Sequence, residues 1–107
     1  MSKSKIETYL GFCIKARKIA LGAGAIETLK KGVCLIIVCS SASENCFKLA
    51  LKYKKAHSCP LMICNCGLEN AVHKPDCKLA AVRDISLANA IIANACEEYE
   101  IYAGGTD

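Results

Sequence analysis

Two glycines, Gly22 and Gly24, stand where a predicted helix begins and are the first residues that could bind a ligand. Glycine lets the backbone approach a ligand closely, and the free N–H groups at a helix start attract anions such as phosphate. A dinucleotide fingerprint would need a third glycine where this chain has Glu27, and no Gly-Lys-Ser/Thr phosphate loop occurs. The turn therefore favours phosphate contact without a nucleotide cofactor, with an ordinary tight turn as the alternative.

Basic residues flank this turn in the sequence. They are Lys15, Arg17 and Lys18 before the turn and Lys30 and Lys31 after it. Residues 1–83 contain all 14 lysines and arginines and five acids, whereas residues 84–107 contain five acids and no base. This asymmetry is typical of a protein with a phosphate-rich partner, where such contacts set affinity and salt dependence. The alternative is a solvated, lysine-rich surface.

Nine cysteines and two histidines raise the question of metal or thiol chemistry. No Cys-x-x-Cys pair occurs, and Cys64 lies in a buried apolar run, so we interpret the cysteines as small apolar side chains with reduced thiols. The acids are scattered singly, and no base is identified beside a nucleophile. We therefore expect no catalytic activity, no metal and no cofactor.

Length and composition indicate one globular domain over residues 1–107, with a core of about 5–100 and a tail at 101–107. The 53% of hydrophobic residues excludes a disordered chain. No secretion signal is present, and no apolar run approaches the ~18 residues of a membrane helix. We expect a cytoplasmic protein that does not contact membranes.

Hydrophobic periodicity predicts helices that alternate with short strands. The predicted helices are 5–17, 23–31, 42–56, 67–73 and a last one from Asp84 or Ser86 through Tyr99, and the predicted strands are 19–21, 33–39, 61–64 and 78–82. Ser41 to Glu44 is predicted to cap the third helix. This order predicts an α/β fold, a three-layer α/β/α sandwich in which a mixed, mostly parallel sheet of about four strands has helices on both faces. Ligands of such sheets bind at loops at one end, where the turn of Gly22 to Gly24 is the leading candidate.

Two motifs carry a resemblance to a known family. The first helix ends in Leu10-Gly-Phe-Cys-Ile-Lys-Ala-Arg-Lys18, and the third begins at Ser41-Ala-Ser-Glu-Asn45. Together with the order of elements over about residues 5–95, they resemble the ribosomal kink-turn RNA-binding superfamily of ribosomal proteins L-seven-Ae and L-thirty-e. The bacterial YlxQ-like branch looks closest.

The resemblance implies RNA contacts from three turns, which map onto Gly22, Ala23 and Gly24, onto Ser43 and Glu44, and onto Val72, His73 and Lys74. Family members read sheared G·A pairs with an Asn-Glu pair where this chain has Gly24 and Ala25. The run from Gly22 to Gly32 is also one residue shorter than in the family, and two glycines around the fourth helix are replaced. The resemblance thus implies general RNA binding more than kink-turn specificity.

We therefore expect a non-catalytic, ribosomal-protein-like RNA-binding protein, a ribonucleoprotein component that binds structured RNA, with kink-turn RNA and the ribosome as candidate partners. Phosphates are expected on Lys18, Lys30, Lys31 and Lys74, and an unstacked base near Val72 and His73. One alternative is a protein-interaction or homo-oligomer module that docks through apolar turns and an acidic final helix. Another is a thiol or metal protein using Cys59, Cys64 and Cys66. The oligomeric state is left open.

Overall fold

Within residues 5–102, which the computed structural model describes, five helices alternate with five strands. The helices are α1 (Lys5–Lys15), α2 (Ala23–Glu27), α3 (Glu44–His57), α4 (Leu68–Ala71) and α5 (Ile85–Ala93), and the strands are β1 (Ile19–Leu21), β2 (Leu35–Cys39), β3 (Leu61–Cys64), β4 (Leu79–Val82) and β5 (Tyr99–Ile101). None of these helices is long and apolar enough to cross a membrane. Of the predicted tail, residues 103–107 lie outside the described residues, whereas Ile101 ends β5.

The α/β class is confirmed, but the sheet differs from the prediction in strand number and direction. Five strands lie in the order β1-β4-β2-β3-β5, and β2–β3 is the one parallel pair in the described chain. The connection between β3 and β4 contains one short helix, α4, whose four residues span about 6 Å at ~1.5 Å per residue, so it does not return the chain to the other end of the sheet. β4 therefore starts at the end of the sheet where β3 stops and runs back antiparallel to β2.

The last predicted helix is also corrected, since α5 ends at Ala93 and the chain turns into β5. The Asn94 side chain donates to the Ala90 carbonyl at 2.8 Å, where it closes the last turn of the helix. Tyr99 is then fully buried in β5, which pairs with β3. Glu97 and Glu98 therefore lie in the turn before β5 and Glu100 lies in β5, so the described chain has no acidic final helix of the kind expected.

The prediction that β2 is covered on both faces is confirmed. Leu35 and Ile37 belong to a hydrophobic cluster with residues of α1 and α5, whereas Ile36 and Val38 belong to a second cluster with residues of α2 and α3. Successive side chains of a strand point to opposite faces. Helices therefore pack on both faces, which explains why β2 is apolar at every position.

Candidate nucleic-acid interface

The strand directions give the sheet two chemically different ends. β1, β2 and β3 run the same way, and β4 and β5 run against them. At one end the Gly22 N–H donates to the Leu79 carbonyl at 2.8 Å, so the turns after β1, β2 and β3 lie together there. At the other end the Arg83 N–H donates to the Lys18 carbonyl at 2.7 Å. We call these the glycine-turn end and the basic end.

At the glycine-turn end, Gly22 precedes α2 with a φ of 90°, which a residue with a side chain rarely adopts. Gly24 does not have a positive φ, so its backbone does not require glycine. A Cβ built at either glycine meets no atom within 4 Å, so neither glycine makes room for another part of this chain. The surface of the turn is open to a partner, although α2 is only five residues long.

The turn after β2 leads into α3, and its cap differs from the prediction by two residues. Ser43 is the N-cap, since its Oγ accepts a hydrogen bond from the Cys46 N–H at 3.1 Å. Glu44 lies exposed in the first helical turn, where a carboxylate complements the helix dipole. Ser41, the predicted cap, points its hydroxyl elsewhere.

Ser41 is part of a polar chain that the sequence did not reveal. The Lys78 ammonium donates to Ser41 Oγ at 2.9 Å and to Glu69 Oε1 at 3.3 Å, and Ser41 Oγ lies 3.1 Å from the Cys39 sulfur. Because an ammonium can only donate, Ser41 accepts from Lys78 and its own proton is free to face Cys39. Lys78, one of the lysines at this end, is therefore already paired with the Glu69 carboxylate.

This polar chain also acts on the Cys39 thiol. Burial raises the pKa of Cys39, but hydrogen bonds from Ser41 and from the backbone of Leu68, together with the nearby Lys78 charge, outweigh burial and lower the pKa overall. The hydrogen bond with Glu69 in turn raises the pKa of Lys78. The only sequence signal for this arrangement is a lysine at the start of an otherwise apolar strand.

The segment after α4 is also at the glycine-turn end, and it contains the third group of predicted contacts. The Val72 side chain is 3% exposed and belongs to the core, so it is not on the surface where a base was expected. His73 and Lys74 are exposed, and His73 has a φ of 56°. This tight backbone turn places two polar side chains at the surface beside α4.

Charge does not favour phosphate at the glycine-turn end. Five carboxylates and two lysines belong to its loops and helix starts. They are Glu44, Glu69, Asp76, Glu97 and Glu98 on one side and Lys74 and Lys78 on the other. A polyanion that approached the glycine turn would therefore meet a surface with more negative than positive groups.

The basic end has the opposite character. It carries seven cations, all exposed except the half-buried Lys54: Arg17 and Lys18 before β1, Lys30 and Lys31 before β2, Lys54 and Lys55 in the last turn of α3 before β3, and Arg83 after β4. None of these seven forms an ion pair within residues 5–102. Two carboxylates lie near these cations. Asp84 caps α5 by accepting from the Leu87 N–H at 2.9 Å, and Glu27, at the end of α2, pairs with Lys52 at 3.9 Å and accepts from the Tyr53 hydroxyl.

The structure thus separates two groups of predicted site residues that are close in sequence. Lys18, Lys30 and Lys31 lie at the basic end, whereas the turn of Gly22 to Gly24 lies at the other end of β1. At ~3.3 Å per residue, Lys18 and Gly22 are about 13 Å apart along the strand. Sequence reasoning did not single out Lys54, Lys55 and Arg83, whose signal is that each stands beside the start or end of a strand.

Comparison with known proteins adds a fold but no function. No family model and no curated protein matches this chain. A solved structure, that of a protein with unknown function from Bacillus halodurans C, is similar. The two chains are 22% identical with a TM-score of 0.70, over 85% of this chain and 96% of that chain. At this identity the similarity shows the fold alone, so the kink-turn resemblance stays a prediction.

The cysteines are free thiols, and none of the nine, all within residues 5–102, forms a disulfide. Burial raises the pKa of Cys13 and of Cys59 to about 11. The sulfurs of Cys64 and Cys66 lie 3.7 Å apart, beneath the fully buried Tyr99. No group of three or more histidine, cysteine or acidic side chains comes together in the described chain.

Proposed function

We propose that this protein binds structured RNA without catalysis and that the basic end makes the main phosphate contacts. The observation that carries this proposal is the group of seven cations at one end of the sheet that form no ion pair within residues 5–102, beside two carboxylates that are already engaged, Asp84 in capping α5 and Glu27 with Lys52. Unpaired lysine and arginine side chains can neutralise phosphates without first breaking an ion pair. The proposal includes Lys18, Lys30 and Lys31 as phosphate contacts.

The glycine-turn end is proposed as a second contact with the same RNA, through Gly22, Ala23, Gly24, Ser43, Glu44, His73 and Lys74. The open surface at the glycines supports close approach of an RNA backbone. Because carboxylates outnumber lysines there, we expect this end to attract phosphate less strongly than the basic end does. The proposal takes the fold as the three-layer α/β/α architecture that the order of helices and strands predicts. Helices on both faces of the sheet support this architecture.

The test measures binding of purified protein to a kink-turn RNA and to a straight duplex of equal length across a salt series. Lys30→Ala/Lys31→Ala removes two cations from the basic end. Lys5→Ala/Lys48→Ala removes two exposed lysines that lie outside the basic end, at the starts of α1 and α3, and is the matched control. We expect the first pair to weaken binding to both RNAs and to reduce the salt slope by about 1.4 to 1.8, at ~0.7 to ~0.9 per phosphate contact.

Each outcome of this experiment has a definite meaning. No salt-dependent binding to any folded RNA would reject the proposed function. Equal losses from the two double variants would place the phosphate contacts outside the basic end. A preference for the kink-turn RNA that Lys30→Ala/Lys31→Ala leaves intact would assign recognition of bent RNA to the glycine-turn end.

A homo-oligomer module is the second candidate, and the edge strand β5 favours it. β5 pairs with β3 on one side, and its Ile101 side chain is 39% exposed. An exposed strand edge can pair with another chain. A dimer by light scattering that Ile101→Lys abolishes would support this candidate, and a monomer at all concentrations would reject it.

A further inference from the structure

A cavity of about 450 Å³ lies between α1 and the segment around α4, beside the glycine-turn end. Phe12 and Ile14 of α1 line it with Thr8 and Lys15, and Asn70 and His73 line the opposite side. A second cavity of about 300 Å³ shares Asn70 and His73 with it and continues to Lys74. Both volumes lie at the lower end of the range of small-molecule sites.

Phe12 gives this cavity an aromatic wall. Its side chain is 49% exposed, which is unusual for a phenylalanine in a folded domain. Tyr9 holds the ring edge-to-face, with the ring centroids 6.3 Å apart. The ring is thus fixed in place while one side remains available for stacking.

Asn70 and His73 give the cavity its polar wall. The Asn70 amide lies over Gly67, where an added Cβ would be 3.1 Å from its nitrogen, so the absence of a side chain at Gly67 allows this position. Neither the Asn70 amide nor the His73 ring makes a side-chain hydrogen bond within residues 5–102. Both keep their donors and acceptors for a ligand.

The charged groups at the two cavities have both signs. Glu7 and Lys15 line the first cavity, and Glu69 and Lys74 line the second. A planar apolar wall, an amide and an imidazole match the face and the hydrogen-bonding edge of a nucleobase, and the two ammonium groups can contact its phosphate. Aromatic side chains stack on unpaired bases, and amides read the base edges.

We propose that this cavity binds a single unstacked nucleobase, with Phe12 stacking on its face and Asn70 and His73 bonding to its edge. The base comes either from a bulge in the RNA that the basic end holds or from a free mononucleotide. The first source rests on the proposed RNA-binding function, and the second does not. Bulged bases are the parts of a folded RNA that a protein pocket can reach.

The test uses two RNA hairpins that differ by one bulged 2-aminopurine, together with the four nucleoside monophosphates titrated separately by NMR. Phe12→Leu keeps an apolar side chain but removes the aromatic face, and Phe12→Tyr retains it. Ile101→Ala removes an exposed apolar side chain outside the cavity and is the matched control. Thermal unfolding of each variant checks that the fold is intact.

For the bulged hairpin we expect Phe12→Leu to weaken binding roughly 5- to 150-fold, as loss of one stacked base does, and to abolish the change in 2-aminopurine fluorescence. Phe12→Tyr and Ile101→Ala should leave both quantities unchanged. Binding of the fully paired hairpin should not respond to Phe12→Leu. Asn70→Ala should alter the preference among bases at the bulge.

Equal effects of Phe12→Leu on both hairpins, or no effect on either, would overturn the extruded-base assignment. Chemical-shift changes of Phe12, Asn70 and His73 with a monophosphate would assign the cavity to free nucleotides. Failure of the wild-type protein to bind any RNA would reject the proposed function alone, because the monophosphate titration still decides the cavity. Binding of neither RNA nor monophosphate would reject both proposals.

Discussion

At the scale of single residues, buried thiols link folding to proton binding. Burial raises the pKa of Cys13 and Cys59 from 9.0 to about 11 in the folded chain. The folded state therefore holds protons that the unfolded state has already lost. The resulting stability is fully present below about pH 9 and is lost as the pH rises through about 11.

We expect the free energy of unfolding to fall between about pH 9 and about pH 11, by roughly 1.4 kcal/mol per pH unit for each retained proton. Urea unfolding at a series of pH values measures this slope. Cys59→Ala should make it shallower, and Cys96→Ala, which changes an exposed thiol, should not. A slope that Cys59→Ala leaves unaltered would contradict the assignment.

Two buried tyrosines provide a second test at this scale. The Tyr53 hydroxyl donates to the Glu27 carboxylate, and burial together with this bond raises the pKa of Tyr53 to about 12. The Tyr99 hydroxyl is buried against the Cys64 and Cys66 thiols, which are weak hydrogen-bonding groups, and it has no oxygen or nitrogen partner in the described chain. We expect Tyr53→Phe to destabilise by about 1 kcal/mol and Tyr99→Phe to be neutral or stabilising, as measured by chemical denaturation. A larger loss of stability in Tyr99→Phe than in Tyr53→Phe would contradict this prediction, because it would show that the Tyr99 hydroxyl makes the more stabilising hydrogen bond.

At the scale of the elements, two serines near the start of α3 make different hydrogen bonds. Ser43 caps the helix through the Cys46 N–H, whereas Ser41 bonds Lys78 and Cys39. Ser43→Ala should therefore cost about 1 kcal/mol of stability and increase hydrogen exchange in the first turn of α3. Ser41→Ala should leave that exchange unchanged. Faster exchange in Ser41→Ala than in Ser43→Ala would restore the cap that the sequence predicted.

At the scale of the whole molecule, the fold collects like charges at one end. Seven cations at the basic end repel each other, and salt screens that repulsion. We expect the free energy of unfolding to increase from about 0.01 M to about 0.15 M salt, where the screening length falls from about 30 Å to about 8 Å. Lys30→Gln/Lys31→Gln should reduce this salt dependence, and Lys5→Gln/Lys48→Gln, which changes two exposed lysines outside the basic end, should not. A stability independent of salt would show that the seven charges are too far apart to interact.

Much of the local structure could be predicted from the sequence because it depends on nearby residues. The unbroken apolar run of β2 indicates a strand with helices on both faces, and the spacing of Ile6 and Leu10 indicates the buried side of α1. The predicted end of α5 is wrong because Cys96 and Tyr99 continue the helical period of its apolar residues although they lie beyond the helix. Burial of Tyr99 against β3 decides between the two, and that contact is not local.

The sequence by itself determined the α/β class, the excess of basic residues before Asp84 and the glycines that begin α2. Only the tertiary structure decided where those charges lie, because strand direction depends on how far each connection carries the chain. The four-residue α4 sends β4 back antiparallel, and Arg83 thereby joins Lys18 at the basic end, away from the glycine turn. Lys18 is close to Gly22 in the sequence, but the three residues of β1 lie between them and hold them at opposite ends of the sheet.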